Sequence, residues 1–528
     1  MKRINIRSIL LVATLASASI GFSPFSFAAT FTWNKATGTQ SFIAAANWDD
    51  GSTGFPNAVD DIADMSTLDI TATQTINVAQ TITLGELRVG DTVGTTTGSF
   101  GRTFANSGGT GAFVLQASSG NARLRWGYSD ANNFLRANTI VNVPITLNSN
   151  TEVIADLQSS SSRNLYFQTG SISGSGDFIV NSATRGTIAI FTDGVNLSNY
   201  TGTFKFTSNG LTTGNNLQLA GNGGTTPRNA RQASLEMSVV TAGGQVNIFD
   251  GVNGSSLELG ALRGDGIITP FSTAGTLRTG YLPGTNTYNG VMTNVGRFAT
   301  AVFSYEKAGA DSTQILGGAN TYTGTTTVSA GTLLVNGTNS GGGAYSVASG
   351  ATLGGTGSIG ASIVTVAAGG VLAPGASIES LDVGGAVING KLVAEYQGAT
   401  GAGNDLIDFL NVVGALDITN ATLELSSLGD PLDDGVVVLA KYGALTGIQF
   451  ASVTGTLPAG YTIDYAYNDG VSSNNIALVQ VPEPCSLSLI AGALLGLSVS
   501  IRRRERKTRN ARIEIGDIDT RIGGRNRK

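Results

Sequence analysis

Thr332-Leu333, Thr352-Leu353, Val371-Leu372 and Lys391-Leu392 recur at spacings of 20, 19 and 20 residues, each following a glycine (Gly331, Gly350, Gly370 and Gly390). One apolar strand position per 20 residues fits one coil of a solenoid. A single coil cannot bury its inward Leu or Val, whereas coils stacked about 4.8 Å apart pair their backbones and close a continuous core. Glycine supplies positive φ at the corners. The composition agrees, with 73 glycines and 11 prolines in 528 residues, and long helical periodicity is hard to find. Runs such as Thr75-Ile76-Asn77-Val78 and Thr81-Ile82-Thr83-Leu84 alternate polar and apolar residues, as half-buried strands do. The body reads as all-β. A β-sandwich with accidental Gly/Thr periodicity is the alternative.

Histidine is absent and the single cysteine is Cys485. These two facts remove Ser-His-Asp and Cys-His catalysis, His- or thiolate-ligated metals and any disulfide in the body. Setting aside the three basic residues of the first 28 and the eleven after position 501 leaves 17 Lys/Arg against 32 Asp/Glu, a net charge of about −15. That excess argues against nucleic acid or other anionic partners. No cofactor pattern is present, and the catalytic types left are carboxylates, Tyr, Lys and Arg.

Both ends read as export signals. Lys2, Arg3 and Arg7 precede an apolar stretch from Ile9 to Gly21, and Ser26-Phe27-Ala28 places small residues where signal peptidase reads, so cleavage between Ala28 and Ala29 is expected. At the other end, Pro482-Glu483-Pro484 precedes an apolar run from Leu487 to Ile501 and a basic stop cluster, Arg502, Arg503, Arg504, Arg506 and Lys507. The run is short for a membrane span, and the cluster would stay cytoplasmic, which puts the body outside the inner membrane. This tail resembles the PEP-CTERM sorting signal. The resemblance implies an exosortase-type protease as partner, transient anchoring in the inner membrane, and release to the cell surface or extracellular matrix. Unlike that family, the chain continues as a basic tail to Lys528, so a permanent tail anchor facing the periplasm stays open. Cys485 reads as an incidental small residue, with lipidation as its alternative.

Leu316-Gly317-Gly318-Ala319-Asn320-Thr321-Tyr322-Thr323-Gly324 through Val335-Asn336-Gly337 resembles the autotransporter-associated β-strand repeat. Val347 to Gly357 and Gly370 to Gly375 follow the same pattern, with echoes at Asn286-Thr287-Tyr288-Asn289-Gly290 and Asn199-Tyr200-Thr201-Gly202. The resemblance implies a right-handed parallel β-helix serving as an extended surface shaft. Thr32-Trp33-Asn34 and Asn47-Trp48-Asp49 look like the opening of secreted repeat proteins; their indoles would cap the first coil or, alternatively, stack on a glycan. Residues 402–480 resemble the module that precedes a PEP-CTERM signal.

The expected layout is a signal peptide (1–28), an irregular β-rich solenoid region with an N-terminal cap (29–300), a repeat β-helix (301–401), a C-terminal β module (402–480), a sorting signal with a single transmembrane helix (481–507) and a basic tail (508–528). Gly401-Ala402-Gly403-Asn404-Asp405 faintly resembles a calcium-binding β-roll turn, but one copy cannot complete a cage. Asp49, Asp50, Asp60, Asp61 and Asp64, and likewise Asp430, Asp433 and Asp434, read as acidic surface turns unless a loop gathers them around calcium. Arg123, Arg125 and Asp130 beside Trp126 and Tyr128 would suit a secreted polysaccharide lyase or glycosidase, yet no such motif accompanies them. The reading is a non-enzymatic, metal-free structural or adhesive β-solenoid, its possible partners being extracellular polysaccharide or surface proteins.

Overall fold

The computed structural model describes residues 28–482 except 50–53, 91–99, 129–137, 156–163, 183–186, 209–215, 220–227, 240–244, 249–254, 271–272, 296–300, 376–377, 400–404 and 472–473. Each turn of the chain lays a strand on the equivalent strand of the turn before, in parallel. One face runs unbroken from Thr30–Trp33 through Ile62–Met65, Glu86–Gly90, Ala122–Tyr128, Thr151–Ala155, Phe178–Ser182, Thr203–Ser208 and Arg228–Val239 to Ser255–Gly264. A second face stacks Gly38–Ser41, Gln74–Val78, Arg102–Asn106, Thr139–Asn142, Leu165–Gly174 and Thr187–Asn196. This is the all-β solenoid expected from the sequence.

The ten-residue strand Ser255–Gly264 is where the first face divides. Its opening half pairs with Gly275–Thr279, while Gly264 pairs with Tyr288 of Gly284–Tyr288, and two parallel columns continue from there. Along one of them Leu333, Leu353, Leu372, Leu392 and Leu423 are successive register partners, all fully buried. The 20-residue period thus marks true coil neighbours. Full burial of each leucine favours the stack by about 1.5 to 3 kcal/mol.

The period holds only where connections are short. Earlier coils carry longer loops: Leu87, Leu124, Val153, Val180, Phe206 and Met237 are register partners at unequal spacings, and they form an inward column of their own. Stacking also crosses residue 402, since Lys391–Gln397 pairs with Thr422–Ser427 and that strand with Ser452–Gly455. The far end closes in an antiparallel sheet, where Asn475–Gln480 lies between Val436–Lys441 and Tyr461–Tyr467.

The opposite end is closed by aromatic packing. Thr30–Trp33 turns back to pair antiparallel with Trp48–Asp49. Trp33 and Trp48 meet edge to face at 4.9 Å, and Phe42 packs on Trp48 at 4.9 Å and on Phe113 at 5.5 Å. The Trp48 indole N–H donates to the carbonyl of Phe42 at 2.6 Å. Among the described residues no helix is long and apolar enough to cross a membrane; the expected spans lie outside them.

Candidate functional site

Outward positions of the first face place opposite charges in vertical register. Asn229, Glu258, Arg278, Glu306 and Thr327 follow one another up the stack. Arg231 grips Glu258 with two hydrogen bonds at 2.8 and 2.9 Å, Arg278 bridges Glu258 (3.4 Å) and Glu306 (2.8 Å), and Ser329 donates to Glu306 at 2.7 Å. Tyr281 lies beneath the Arg231 guanidinium, 4.4 Å from it, and donates to Glu258 at 3.4 Å. Burial pushes the Glu258 carboxyl up, but Arg231 and Arg278 outweigh it and hold it below the ordinary carboxylate range. A carboxylate so engaged is a strut between coils. The ladder was not visible in the sequence because irregular loops separate its members.

The Tyr-x-Gly echoes, Tyr200-Thr201-Gly202 and Tyr288-Asn289-Gly290, are a second inter-coil device. Tyr200 and Tyr288 are fully buried, and their hydroxyls donate to Gly176 and Gly266, at 3.0 and 3.1 Å. The glycine two positions on, Gly202 or Gly290, lies against the tyrosine ring and the same preceding carbonyl, where a Cβ would overlap both. In the full repeat, Tyr322 instead shares a hydrogen bond with Thr326 at 2.7 Å and packs on Phe303 at 5.5 Å.

Among the described residues, the carboxylate group that converges is Asp405, Asp433 and Asp434, with oxygens within 4.8 Å of one another. It joins two acidic segments read separately in the sequence and leaves out Asp430, whose backbone pairs with Gly398. Asp405 is committed to the backbone: one oxygen accepts Ala399 N–H at 3.0 Å, the other Asp433 and Asp434 N–H at 2.6 and 2.7 Å. Asp434 in turn accepts the amide of Asp405 at 2.9 Å. The trio staples two loops together. The N-terminal aspartates do not converge: Asp49 accepts from Asn34, Asp60 from Ser118, and Asp64 from Ser66 and Arg88. Asp50 lies outside the described residues.

Two buried ionisable residues had no sequence signal. Asp408 is 2% exposed and accepts the amides of Glu379 and Glu395 at 3.2 and 2.9 Å. Burial pushes its carboxyl up to about 7, against those hydrogen bonds. The Lys307 ammonium donates to the carbonyls of Gly309 and Ala330 at 2.5 and 3.0 Å, and burial pushes it down to about 8.

Of the rings the alternative polysaccharide-enzyme reading placed beside Arg123 and Arg125, Trp126 does not serve it. Trp126 is fully buried and cannot present its ring to a glycan. Arg123 and Arg125 face outward toward Glu152 and Glu86, at 3.9 and 4.0 Å; Asp130 lies outside the described residues. Trp33 and Trp48, 1% and 4% exposed, are likewise the cap and not a glycan platform. Of the sorting motif only Pro482 is described; Glu483, Pro484 and the cluster from Arg502 to Lys507 lie outside the described residues, as does the apolar span. Ala28 and Ala29 lead directly into the first strand.

Within this stack, residues 306–335 match the passenger-associated-transport-repeat. The match takes in Glu306, Lys307, Tyr322 and Gly331, and so the top of the charge ladder and the first of the 20-residue periods. No curated protein matches the chain.

Proposed function

We propose that this chain is an exported, non-enzymatic β-solenoid that acts as a structural or adhesive shaft at the bacterial surface or in the extracellular matrix. The observation that carries the proposal is the parallel stack reaching from Thr30 to Gly455 with a passenger-type repeat inside it. Right-handed winding is the expected hand, because parallel crossovers take it in nearly all cases. The stack supplies reach and protease resistance, and its outward Thr, Ser and Asn side chains offer hydroxyls and amides to polysaccharide or protein neighbours. Delivery rests on the terminal signals, with an exosortase-type protease acting near Pro482-Glu483-Pro484 after transient anchoring in the inner membrane.

Fractionating cells and mapping both ends of the native protein by mass spectrometry tests this. Release near Pro482 to Pro484 into the surface or matrix fraction is the expected result. Lys528 still attached in the inner membrane would replace it with a permanently anchored periplasmic solenoid. Cleavage of polysaccharide by the purified body would replace it with a lyase or glycosidase.

A further inference from the structure

The first strand, Thr30–Trp33, begins one residue after the expected signal-peptidase bond, and what meets the Ala29 nitrogen there is a carboxylate. Ala29 N lies 3.3 Å from Oδ1 of Asp61, and Oδ2 of Asp61 accepts the amide of Asn57 at 3.0 Å. Asp61 is 6% exposed. It is also fixed in place: its amide donates to Ala58 at 3.1 Å, and its carbonyl accepts the amides of Gly85 and Glu86 from the next coil, at 2.9 and 3.1 Å. The Ala29 carbonyl accepts Ile62 N–H at 2.8 Å, so the first residues of the strand are already docked.

The surroundings are acidic. A cleft of about 300 Å³ opens beside this contact, lined by Ala28, Asp60, Glu86, Ser118 and Arg123 among others. Asp60 there accepts Ser118 N–H, and Glu86 is held by Arg88 at 2.8 Å with Arg125 at 4.0 Å. Among the described residues, the Asp61 carboxylate receives neutral amides alone, from Ala29 and Asn57. A nearly buried carboxylate with neutral donors is poorly compensated relative to one facing a cation.

We propose that Asp61 is the receiving site for the α-ammonium group of Ala29, so that removal of the leader creates an ion pair that locks the first coil to the second. Hydrolysis of the Ala28–Ala29 amide consumes one water; the Ala28 carboxylate departs with the leader, and the Ala29 nitrogen, now protonated, gains a positive charge without moving. Maturation and completion of the cap become one event. The inference rests on the export reading, and the test separates the two.

The exported full-length protein is mapped at its N-terminus and then treated with an amine-acylating reagent at neutral pH, folded and in denaturant. The expected result is a start at Ala29 whose amine is acylated at least ten-fold more slowly in the folded protein, with most of that protection lost in Asp61→Asn. A start elsewhere overturns the processing site and the proposal together. A start at Ala29 with an amine as reactive as in denaturant overturns the ion pair and leaves export intact; equal protection in Asp61→Asn assigns the protection to burial alone and also overturns it. If Asp61→Asn does not fold, the pH dependence of acylation in the wild type replaces it: an Ala29 amine that titrates higher in the folded protein than in denaturant supports the pair, and one that titrates at the same pH or lower overturns it.

Discussion

The Tyr200 hydroxyl lies 3.0 Å from the carbonyl oxygen of Gly176, one coil earlier, and the same hydroxyl accepts the amide of Phe178 at 2.9 Å. One side chain from a corner thereby satisfies a donor and an acceptor of the preceding coil, both cut off from water. Tyr288 repeats the first half of this arrangement with Gly266, which gives the shared Tyr-x-Gly sequence a physical meaning: it bolts coil to coil.

Tyr200→Phe keeps the packing and leaves the Phe178 amide without its acceptor. The expected loss is about 1 to 3 kcal/mol, the penalty of an unsatisfied buried group. Hydrogen exchange at Phe178 should accelerate accordingly, while exchange in distant coils such as that of Leu372 stays unchanged, because solenoid coils couple mainly to their neighbours.

The Glu258 ladder should weaken in acid. Its carboxyl is held below the ordinary range in the folded state, so its contribution is complete above the unfolded value and disappears as pH falls through the folded one. Arg231 is half exposed, which limits the contribution of the pair to about 1 kcal/mol, less at high salt. Denaturant midpoints of wild type and Glu258→Gln should differ at pH 7 and converge on acidification.

Asp408 acts with the opposite sign. Its folded value of about 7 lies above the unfolded one, so the folded chain binds the proton more tightly. Stability from this group is complete below the ordinary carboxylate value near pH 4 and declines as pH rises to about 7. Asp408→Asn should remove that segment of the stability profile, read by thermal unfolding between pH 4 and 8.

Lys307 governs the alkaline side. With its ammonium pushed down to about 8 from an ordinary 10.5, the folded state releases the proton first, and stability should climb as pH rises from about 8 toward 10.5. Lys307→Met should flatten that rise, a difference visible in unfolding midpoints at pH 7.5 and 10.

The Asp405 staple predicts indifference to calcium. Asp405 already accepts three backbone amides, so adding calcium or a chelator should leave the unfolding midpoint of the wild type in place. Asp405→Ala should lower it equally in both, by about 1 to 3 kcal/mol for the amides left buried.

How much was legible follows coil length. Between Gly331 and Leu392 the connections are short and equal, and the leucine column can be counted off the chain. From Leu87 to Met237 a second inward column is as regular in space, yet loops of unequal length scramble its spacing, so it has no period to detect. Arg231, Glu258, Arg278 and Glu306 were illegible for the same reason. The facing of Trp126 was open because alternation shows that a strand has two faces without saying which one meets the core.

The sequence by itself determined the class of fold and excluded histidine and disulfide chemistry in the body: glycine spacing, alternation and the missing histidine and body cysteine are local properties that composition and pattern carry. Tertiary structure decided which residues stand above one another. It turned Trp33 and Trp48 inward as a cap, split the sheet at Ser255–Gly264, gathered Asp405 with Asp433 and Asp434, and set Ala29 against Asp61. Those pairings are fixed by backbone register between coils, and register depends on what each loop adds between strands, which no local pattern records.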